Sequence, residues 1–159
     1  MQINYVRATK EDIDVLVATR VETLRAANLL NPATDMSLVE INSRQYYCKN
    51  LESVNHIAYL AYASNKVVAC GGISFYTVMP TYHNPTGKKA YIMNMFTQPD
   101  YRRLGIANRL LDLLVGASKE RCVFEITLEA TAAGRPLYEK YGFIPLDNEM
   151  VLPIDRFPC

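Results

Sequence analysis

The residues with the clearest chemical use lie where an apolar segment gives way to an amphipathic helix. Residues 91–97 are apolar except for Asn94, and the Gln98-Pro99-Asp100 segment that follows is typical of a turn. From Leu104 the apolar residues recur at helical spacing, so the pattern predicts a buried strand, a turn and a helix. The first N–H groups of a helix have no partner within it, and the helix dipole adds partial positive charge there.

One glycine and two arginines make this predicted helix start suited to a diphosphate. Gly105 would let a ligand approach the backbone, Ala107 keeps the next turn small, and Arg102 and Arg103 add positive charge. The alternative is that Gly105 only eases a tight turn and the arginines are solvated. A Walker loop is excluded because no Gly-Lys-Ser/Thr follows, and a dinucleotide fingerprint because only one of its three glycines is present.

The elements that must position this segment follow from hydrophobic periodicity and turn residues. Thr9 with the acids after it predicts a helix start, and Gly71-Gly72 within a strand indicates a bulge or a close backbone approach. A strand–helix–strand crossover ending near Glu129 is typical of a parallel pair. Besides residues 91–97, strands are predicted at residues 3–8, 56–63, 67–78, 122–129, 143–145 and 150–153, and helices at 9–28, 38–51, 104–117 and 131–141.

Composition limits the class of protein. The chain has 159 residues, of which 50% are hydrophobic and 21% charged, with a net charge of +1. These values predict one globular domain over residues 1–159, without broad binding to nucleic acid or to an anionic membrane. The start lacks the pattern of a signal peptide, and no apolar run reaches the roughly 20 residues of a membrane span. We therefore expect a cytoplasmic protein.

The cysteines and histidines indicate neither a metal site nor thiol catalysis. The four cysteines are far apart, which argues against a zinc framework or a dense disulfide scaffold. Nothing in the sequence places His56 or His83 beside a cysteine, so Cys–His catalysis is disfavoured. His83 lies in a long predicted loop and could be an acid–base group, although a lone loop histidine is more often simply exposed.

Two motifs resemble those of a known family. Arg102-x-x-Gly105-x-Ala107, between a strand and a Leu-rich helix, resembles the acyl-CoA-binding motif of the GNAT superfamily of N-acetyltransferases. The segment Leu137-Tyr138-Glu139-Lys140-Tyr141-Gly142-Phe143 resembles the second signature of that family. The resemblance covers about residues 88–144. It implies an α/β fold of the α+β type, in which about four helices flank a mixed, mostly antiparallel sheet of about six or seven strands with a central parallel pair.

The resemblance also implies acetyl-CoA as co-substrate. It places the thioester along residues 95–97, where one backbone N–H would polarise the carbonyl, and the diphosphate on the backbone of residues 103–108. Thr131 would contact the pantetheine arm at a position where many members carry Asn, and Gly134 stands where many carry Ala. The implied cofactor-binding residues are Met95, Phe96, Thr97, Arg102, Arg103, Leu104, Gly105, Ile106, Ala107, Asn108 and Thr131.

By the same resemblance Tyr138 is the general acid that protonates the departing CoA thiolate. The general base is open: Glu129 is the best-placed carboxylate and a water chain is equally suitable, whereas Asn94 can bind a substrate but cannot act as a base. The remaining candidates on the acceptor side are Glu22, Arg25, Tyr46 and Tyr47.

These features predict an N-acetyltransferase in which a primary amine of a small molecule or peptide attacks acetyl-CoA directly in a ternary complex. The alternative is a non-catalytic acyl-CoA-binding or sensing domain on the same scaffold. A nucleotide-phosphate-binding enzyme, the third hypothesis, depends on the helix start alone. The apolar residues 150–154 could support a homodimer.

Overall fold

A five-stranded sheet organises residues 2–129 in the computed structural model, which describes residues 2–153. The strands lie side by side in chain order, and each neighbouring pair is antiparallel except the last, β4 and β5, which are parallel. The predicted mixed sheet with one parallel pair is confirmed. The strands are β1 Ile3–Arg7, β2 His56–Ala63, β3 Lys66–Thr77, β4 Lys88–Thr97 and β5 Glu125–Leu128.

The described residues form four α-helices, as expected: α1 Ile13–Asn28, α2 Ser37–Glu52, α3 Ile106–Glu120 and α4 Arg135–Tyr141. A short 3₁₀ turn precedes α1. Thr9 caps this turn, because its backbone N–H donates to Asp12 Oδ2 at 2.8 Å and its hydroxyl accepts from the Glu11 N–H. The capping residues at the predicted helix start therefore act as their types suggest.

The helices cover opposite faces of the sheet. Leu60 on β2 packs in a core with α1 and α2, whereas the next residue, Ala61, packs in a core with Ile106 and Leu110 of α3. Because successive strand residues point to opposite faces, α1 and α2 cover one face and α3 covers the other. We call these the α1/α2 face and the α3 face.

Contacts between Cα atoms divide the chain into two compact units, residues 1–129 and 130–159. The first contains the sheet with α1, α2 and α3, and the second contains α4. The expectation of a single domain over residues 1–159 stays a prediction.

The strands predicted at residues 143–145 and 150–153 are wrong, so the described chain has five strands rather than six or seven. The N–H of Phe143 donates to Tyr138 O at 3.0 Å, and Gly142 has a φ of +118°, so this backbone closes the end of α4 instead of joining a ladder. Met150 and Val151 are 99% and 87% exposed, and apolar runs this short bury too little surface to hold a strand. The predicted homodimer contact at 150–154 stays a prediction, and Ile154 lies outside the described residues.

No helix within residues 2–153 is both long enough and apolar enough to cross a bilayer.

Candidate active site

Strand β4 carries a bulge at Asn94. Met93 pairs with Gly72 and Phe96 pairs with Cys70, so two residues of β4 lie opposite Gly71 alone. Asn94 is one of the two bulge residues, and its φ of +57° lies in the left-handed region, which Asn tolerates better than most residues. The bulge that the paired glycines indicate is therefore present.

The two glycines also make room on opposite faces. A Cβ atom on Gly72 would lie 2.8 Å from His56 Cε1 and Nε2, and one on Gly71 would lie 2.6 Å from Met95 Sδ. Both side chains approach the backbone of β3 more closely than any residue with a Cβ would allow.

Beyond Ile92, strand β4 is no longer paired with β5. The parallel ladder joins Lys89–Ile92 to Glu125–Leu128, and in the described chain β4 runs on to Thr97 without pairing to β5. Met95 packs in the core of the α3 face and Phe96 in the core of the α1/α2 face. Their side chains have structural uses, so the backbone of residues 95–97 is the part suited to bind a ligand here.

The turn after β4 leads to an uncapped helix start. Arg103 and Gly105 both have positive φ angles, of +63° and +79°. Helix α3 begins at Ile106, slightly later than the predicted start at Leu104. No side chain caps this helix and its first turn has no acidic residue. A Cβ atom on Gly105 would meet no atom within 4 Å. The first N–H groups of α3 are therefore open to an anion, as the motif predicts.

Arg102 and Arg103 differ in their surroundings. Arg102 Nε donates to Thr97 O at 3.1 Å and so ties the turn to the end of β4. Arg103 is exposed. Leu104 is 57% exposed beside them, whereas Ile106 is buried in the core of the α3 face.

On the α1/α2 face, a cavity of about 760 Å³ lies between α1, α2 and the edges of β2, β3 and β4. Three of the predicted acceptor-side residues, Tyr46, Tyr47 and Asn94, line it. Two others do not. Glu22 is exposed on α1, and the Arg25 guanidinium donates to Asn31 O at 2.9 Å and to Thr34 O at 2.8 Å, which ties the loop after α1 to the helix.

A buried histidine forms the centre of a polar cluster in this cavity. His56 Nδ1 lies 3.1 Å from the Tyr46 hydroxyl and 3.0 Å from Ser74 Oγ, and those two oxygens are 2.6 Å apart. Burial, reinforced by the positive charge of Arg20, lowers the pKa of His56 to about 4. The imidazole is therefore neutral at pH 7. Its other nitrogen, Nε2, is buried without a hydrogen-bond partner in the described chain.

The cluster extends across the sheet towards Glu129. His56 pairs with Ser74 and Ser74 with Tyr91, so the three side chains stand in one row on one face. Burial raises the pKa of Tyr91, and the negative charge of nearby Glu129 raises it further. Glu129 itself is exposed. The carboxylate favoured by the sequence therefore lies near a residue of the cavity wall, Tyr91, and is not itself part of the lining.

Asn94, which lines the cavity, contacts the buried Cys70. Asn94 Nδ2 donates to Cys70 Sγ at 3.7 Å, while Asn94 Oδ1 is buried with no partner in the described residues. Burial raises the pKa of Cys70 to about 11, so its thiol stays protonated. No group of three or more His, Cys, Asp or Glu side chains within residues 2–153 is arranged to hold a metal.

Among the residues of this cavity that sequence reasoning missed are Arg20, His56, Ser74 and Tyr91. His56, Ser74 and Tyr91 are brought together by strand register, which a single sequence does not reveal. The other histidine, His83, is exposed on its loop with its ring against Tyr82.

The second unit holds the predicted general acid. Tyr138 is 9% exposed on α4, and its ring meets that of Phe143 edge-on at a centroid distance of 6.1 Å. Thr131 Oγ1 accepts a hydrogen bond from Gly134 N at 3.1 Å, and a Cβ atom on Gly134 would lie 3.1 Å from Tyr138 Cε2. Glycine at this position therefore gives the Tyr138 ring space that alanine would narrow.

Strand β4, second from the edge of a mixed sheet, carries a bulge, has an end that is not paired to β5, and leads to an uncapped helix start. The resemblance to the GNAT superfamily implies this arrangement. Consistent with this, the model of the acetyltransferase (GNAT) family matches residues 24–143. The chain belongs to that family.

Solved structures support the same assignment. The chain is 35% identical to a predicted acetyltransferase from Clostridium acetobutylicum, solved with acetyl-CoA, with a TM-score of 0.90 over 98% of this chain and 99% of that one. The GCN5-related N-acetyltransferase from Ralstonia eutropha JMP134 is 22% identical with a TM-score of 0.84 over 97% and 99% of the two chains, a similarity of fold.

A shorter match joins the chain to the uncharacterized N-acetyltransferase YafP of Escherichia coli (strain K12). The two are 33% identical over 61 residues, which span 38% of this chain and only 37% of YafP.

Proposed function

We propose that the protein is an N-acetyltransferase that transfers an acetyl group from acetyl-CoA to a primary amine by direct attack in a ternary complex. The observation that carries the proposal is the course of the backbone after Ile92, where β4 leaves β5 and leads through Gly105 to the uncapped start of α3. The relative from Clostridium acetobutylicum, whose structure contains acetyl-CoA, supports it.

The backbone of this region fits the co-substrate. The N–H groups of residues 103–108 would bind the diphosphate, and the positive charges of Arg102 and Arg103 would assist. The pantetheine arm would lie along residues 95–97, with Thr131 as a further contact. One backbone N–H there would stabilise negative charge on the thioester oxygen, an effect worth about 3 to 4 kcal/mol per donor in acyl transfer.

The chain's own groups would handle two protons. Acetyl-CoA supplies the activated acetyl group. We assign removal of the proton from the amine to Glu129, acting through Tyr91 or a water, because Glu129 is close enough for its charge to raise the pKa of Tyr91, and Tyr91 lines the cavity. The family signature assigns the second proton to Tyr138, which would give its phenolic hydrogen to the departing sulfur. A phenol of pKa about 10 is well matched to a thiol of pKa about 8.5.

The test is release of free CoA thiol when acetyl-CoA and a panel of primary amines are added. We expect Tyr138→Phe to lower kcat about 100-fold, which is the usual scale for losing a general acid. Tyr141→Phe is the matched control, because it removes a hydroxyl from the same helix, and it should keep near-parent turnover. Equal rates for the parent and Tyr138→Phe would remove Tyr138 from the mechanism.

The same assay separates the enzyme from the alternative. Binding of acetyl-CoA without thiol release in the presence of any amine would identify a non-catalytic acyl-CoA-binding domain.

A further inference from the structure

Arg20 on α1 brings an unbalanced positive charge to the cavity of the α1/α2 face. The residue is half-buried, and no carboxylate within residues 2–153 lies within ion-pair distance of it. Its charge lowers the pKa of His56. Since buried charges in proteins are generally paired, this guanidinium is suited to pair with an anion from outside the chain.

No acidic residue of the described chain lines the cavity beside that charge. The lining contains neither Asp nor Glu in the part of the chain that the structure describes, and His56 is neutral at pH 7. A polyamine or another polycationic acceptor would find no carboxylate in the lining and would be repelled by Arg20. The electrostatics of the cavity therefore select against such acceptors and favour a ligand that carries negative charge.

Two buried polar atoms beside the same cavity lack hydrogen-bond partners in the described chain. Only two buried side-chain atoms among the described residues have no partner, His56 Nε2 and Asn94 Oδ1, and both belong to residues of this lining. Asn94 also sits on the bulge of β4, next to the backbone of residues 95–97. This lining residue therefore lies on the strand along which we place the thioester.

Apolar side chains form most of the remaining wall. Leu24 on α1, Leu38 and Val39 on α2, and Met93 on β4 line the cavity together with several tyrosines. A volume of about 760 Å³ is in the usual range of small-molecule sites, roughly 300 to 1,000 Å³. The cavity is thus suited to a compact apolar group with one anionic end.

From these observations we propose that the acceptor is a small amino carboxylate, a free α-amino acid with an apolar or aromatic side chain. Arg20 binds its carboxylate, and the apolar wall contacts its side chain. The role of this ligand as the acceptor rests on the proposed acetyl transfer, but its binding to the cavity can be tested without turnover.

The experiment is calorimetric titration with and without CoA, which lacks the acetyl group and so permits binding without reaction. The ligands are L-phenylalanine, L-leucine, phenethylamine, which lacks the carboxylate, and 1-amino-2-phenylethylphosphonate, which replaces it with another anion. The proteins are the parent, Arg20→Gln and Arg44→Gln. Arg44 is the matched control, because it is an exposed arginine on α2 that pairs with Asp14 outside the cavity.

We expect Arg20→Gln to raise the Kd of L-phenylalanine about 10- to 100-fold, the scale of a lost charge-assisted hydrogen bond, and to change that of phenethylamine less than about threefold. Arg44→Gln should change neither. Equal loss for both ligands in Arg20→Gln, tighter binding of the phosphonate than of the amino acid, or no binding of either amino acid to the parent would each overturn the amino-carboxylate assignment. Arg20-dependent binding without thiol release would instead overturn the proposed function alone.

Discussion

The two candidate binding regions next to β4 depend on different parts of the chain, one on backbone groups and the other on side chains. On the α3 face and in the turn that follows β4, the features that fit a ligand belong to the backbone: an unpaired strand end, two positive φ angles and a helix start without a cap. On the α1/α2 face they belong to side chains, in a cluster of His56, Tyr46 and Ser74 near a half-buried Arg20. A backbone site follows from a short local motif, whereas a side-chain site depends on elements distant in sequence.

This difference has consequences for tolerance to change. A backbone site of this kind suits a ligand part that is the same for every member of a family, and most of its side chains can vary. A buried side-chain cluster is packed and desolvated, so small changes in it affect both stability and ligand choice. The predictions below compare one face with the other.

The largest expected effect is a pH dependence of stability caused by His56. Its pKa is about 4 in the folded protein and about 6.5 in an unfolded chain, so the unfolded state binds more protons between those values. Stability should therefore fall as the pH is lowered from about 6.5 to about 4, by about 3 kcal/mol from this group. The measurement is urea unfolding at a series of pH values.

Matched histidine variants isolate that contribution. His56→Gln should unfold with a flatter pH profile than the parent over this interval, even if it is less stable throughout. His83→Gln removes the exposed histidine and is the control variant. Identical slopes for the parent and His56→Gln would show that His56 titrates normally and that its cluster is not desolvated.

The next effect compares adjacent glycines that face opposite sides. A methyl group at Gly72 would press on the buried His56 ring, which hydrogen bonds hold in place, so Gly72→Ala should cost about 2 to 3 kcal/mol of unfolding free energy. Gly71→Ala would meet the flexible end of Met95 on the α3 face and should cost about 1 kcal/mol. Equal costs, measured by denaturant unfolding, would contradict the proposed difference between the two faces.

The smallest effect concerns the two arginines of the turn. Arg102→Gln loses the hydrogen bond to Thr97 O and should lower the unfolding free energy by about 1 kcal/mol. Arg103→Gln removes the same charge from an exposed residue and should change stability by less than about 0.5 kcal/mol. A larger loss for Arg103→Gln would mean that Arg103, and not Arg102, holds the turn.

The parts of the fold that sequence could predict are those with a local cause. Periodicity predicts the helices, Thr9 predicts the capped turn that leads into the first helix, and the glycine pair predicts the bulge, which lies at Asn94 on the neighbouring strand. The predicted closing strands failed because apolar character alone cannot say whether a short segment finds a partner. Phe143 is apolar, yet its N–H closes the end of α4.

The cavity could be predicted only in part. Tyr46 and Tyr47 were identifiable as aromatic residues on a helix of the acceptor side, but His56 looked like any first residue of a strand. Its role depends on the register that brings Ser74 opposite it and on a helix that lays the Tyr46 hydroxyl over both. Arg20 likewise has the pattern of a solvated charge on a helix, because the sequence does not show which charged groups surround it in the folded protein.

The most direct test of the central claim is calorimetric titration of acetyl-CoA into the parent, Gly105→Ala and Gly116→Ala, with NAD and ATP as ligand controls. Each substitution adds one methyl group where no neighbouring atom lies within 4 Å, but only Gly105 has a positive φ and precedes the start of α3. We predict selective binding of acetyl-CoA that Gly105→Ala weakens at least about tenfold and Gly116→Ala leaves unchanged. Equal affinities in all three proteins, or no acetyl-CoA binding to the parent at millimolar concentration, would contradict the assignment of the diphosphate to this helix start.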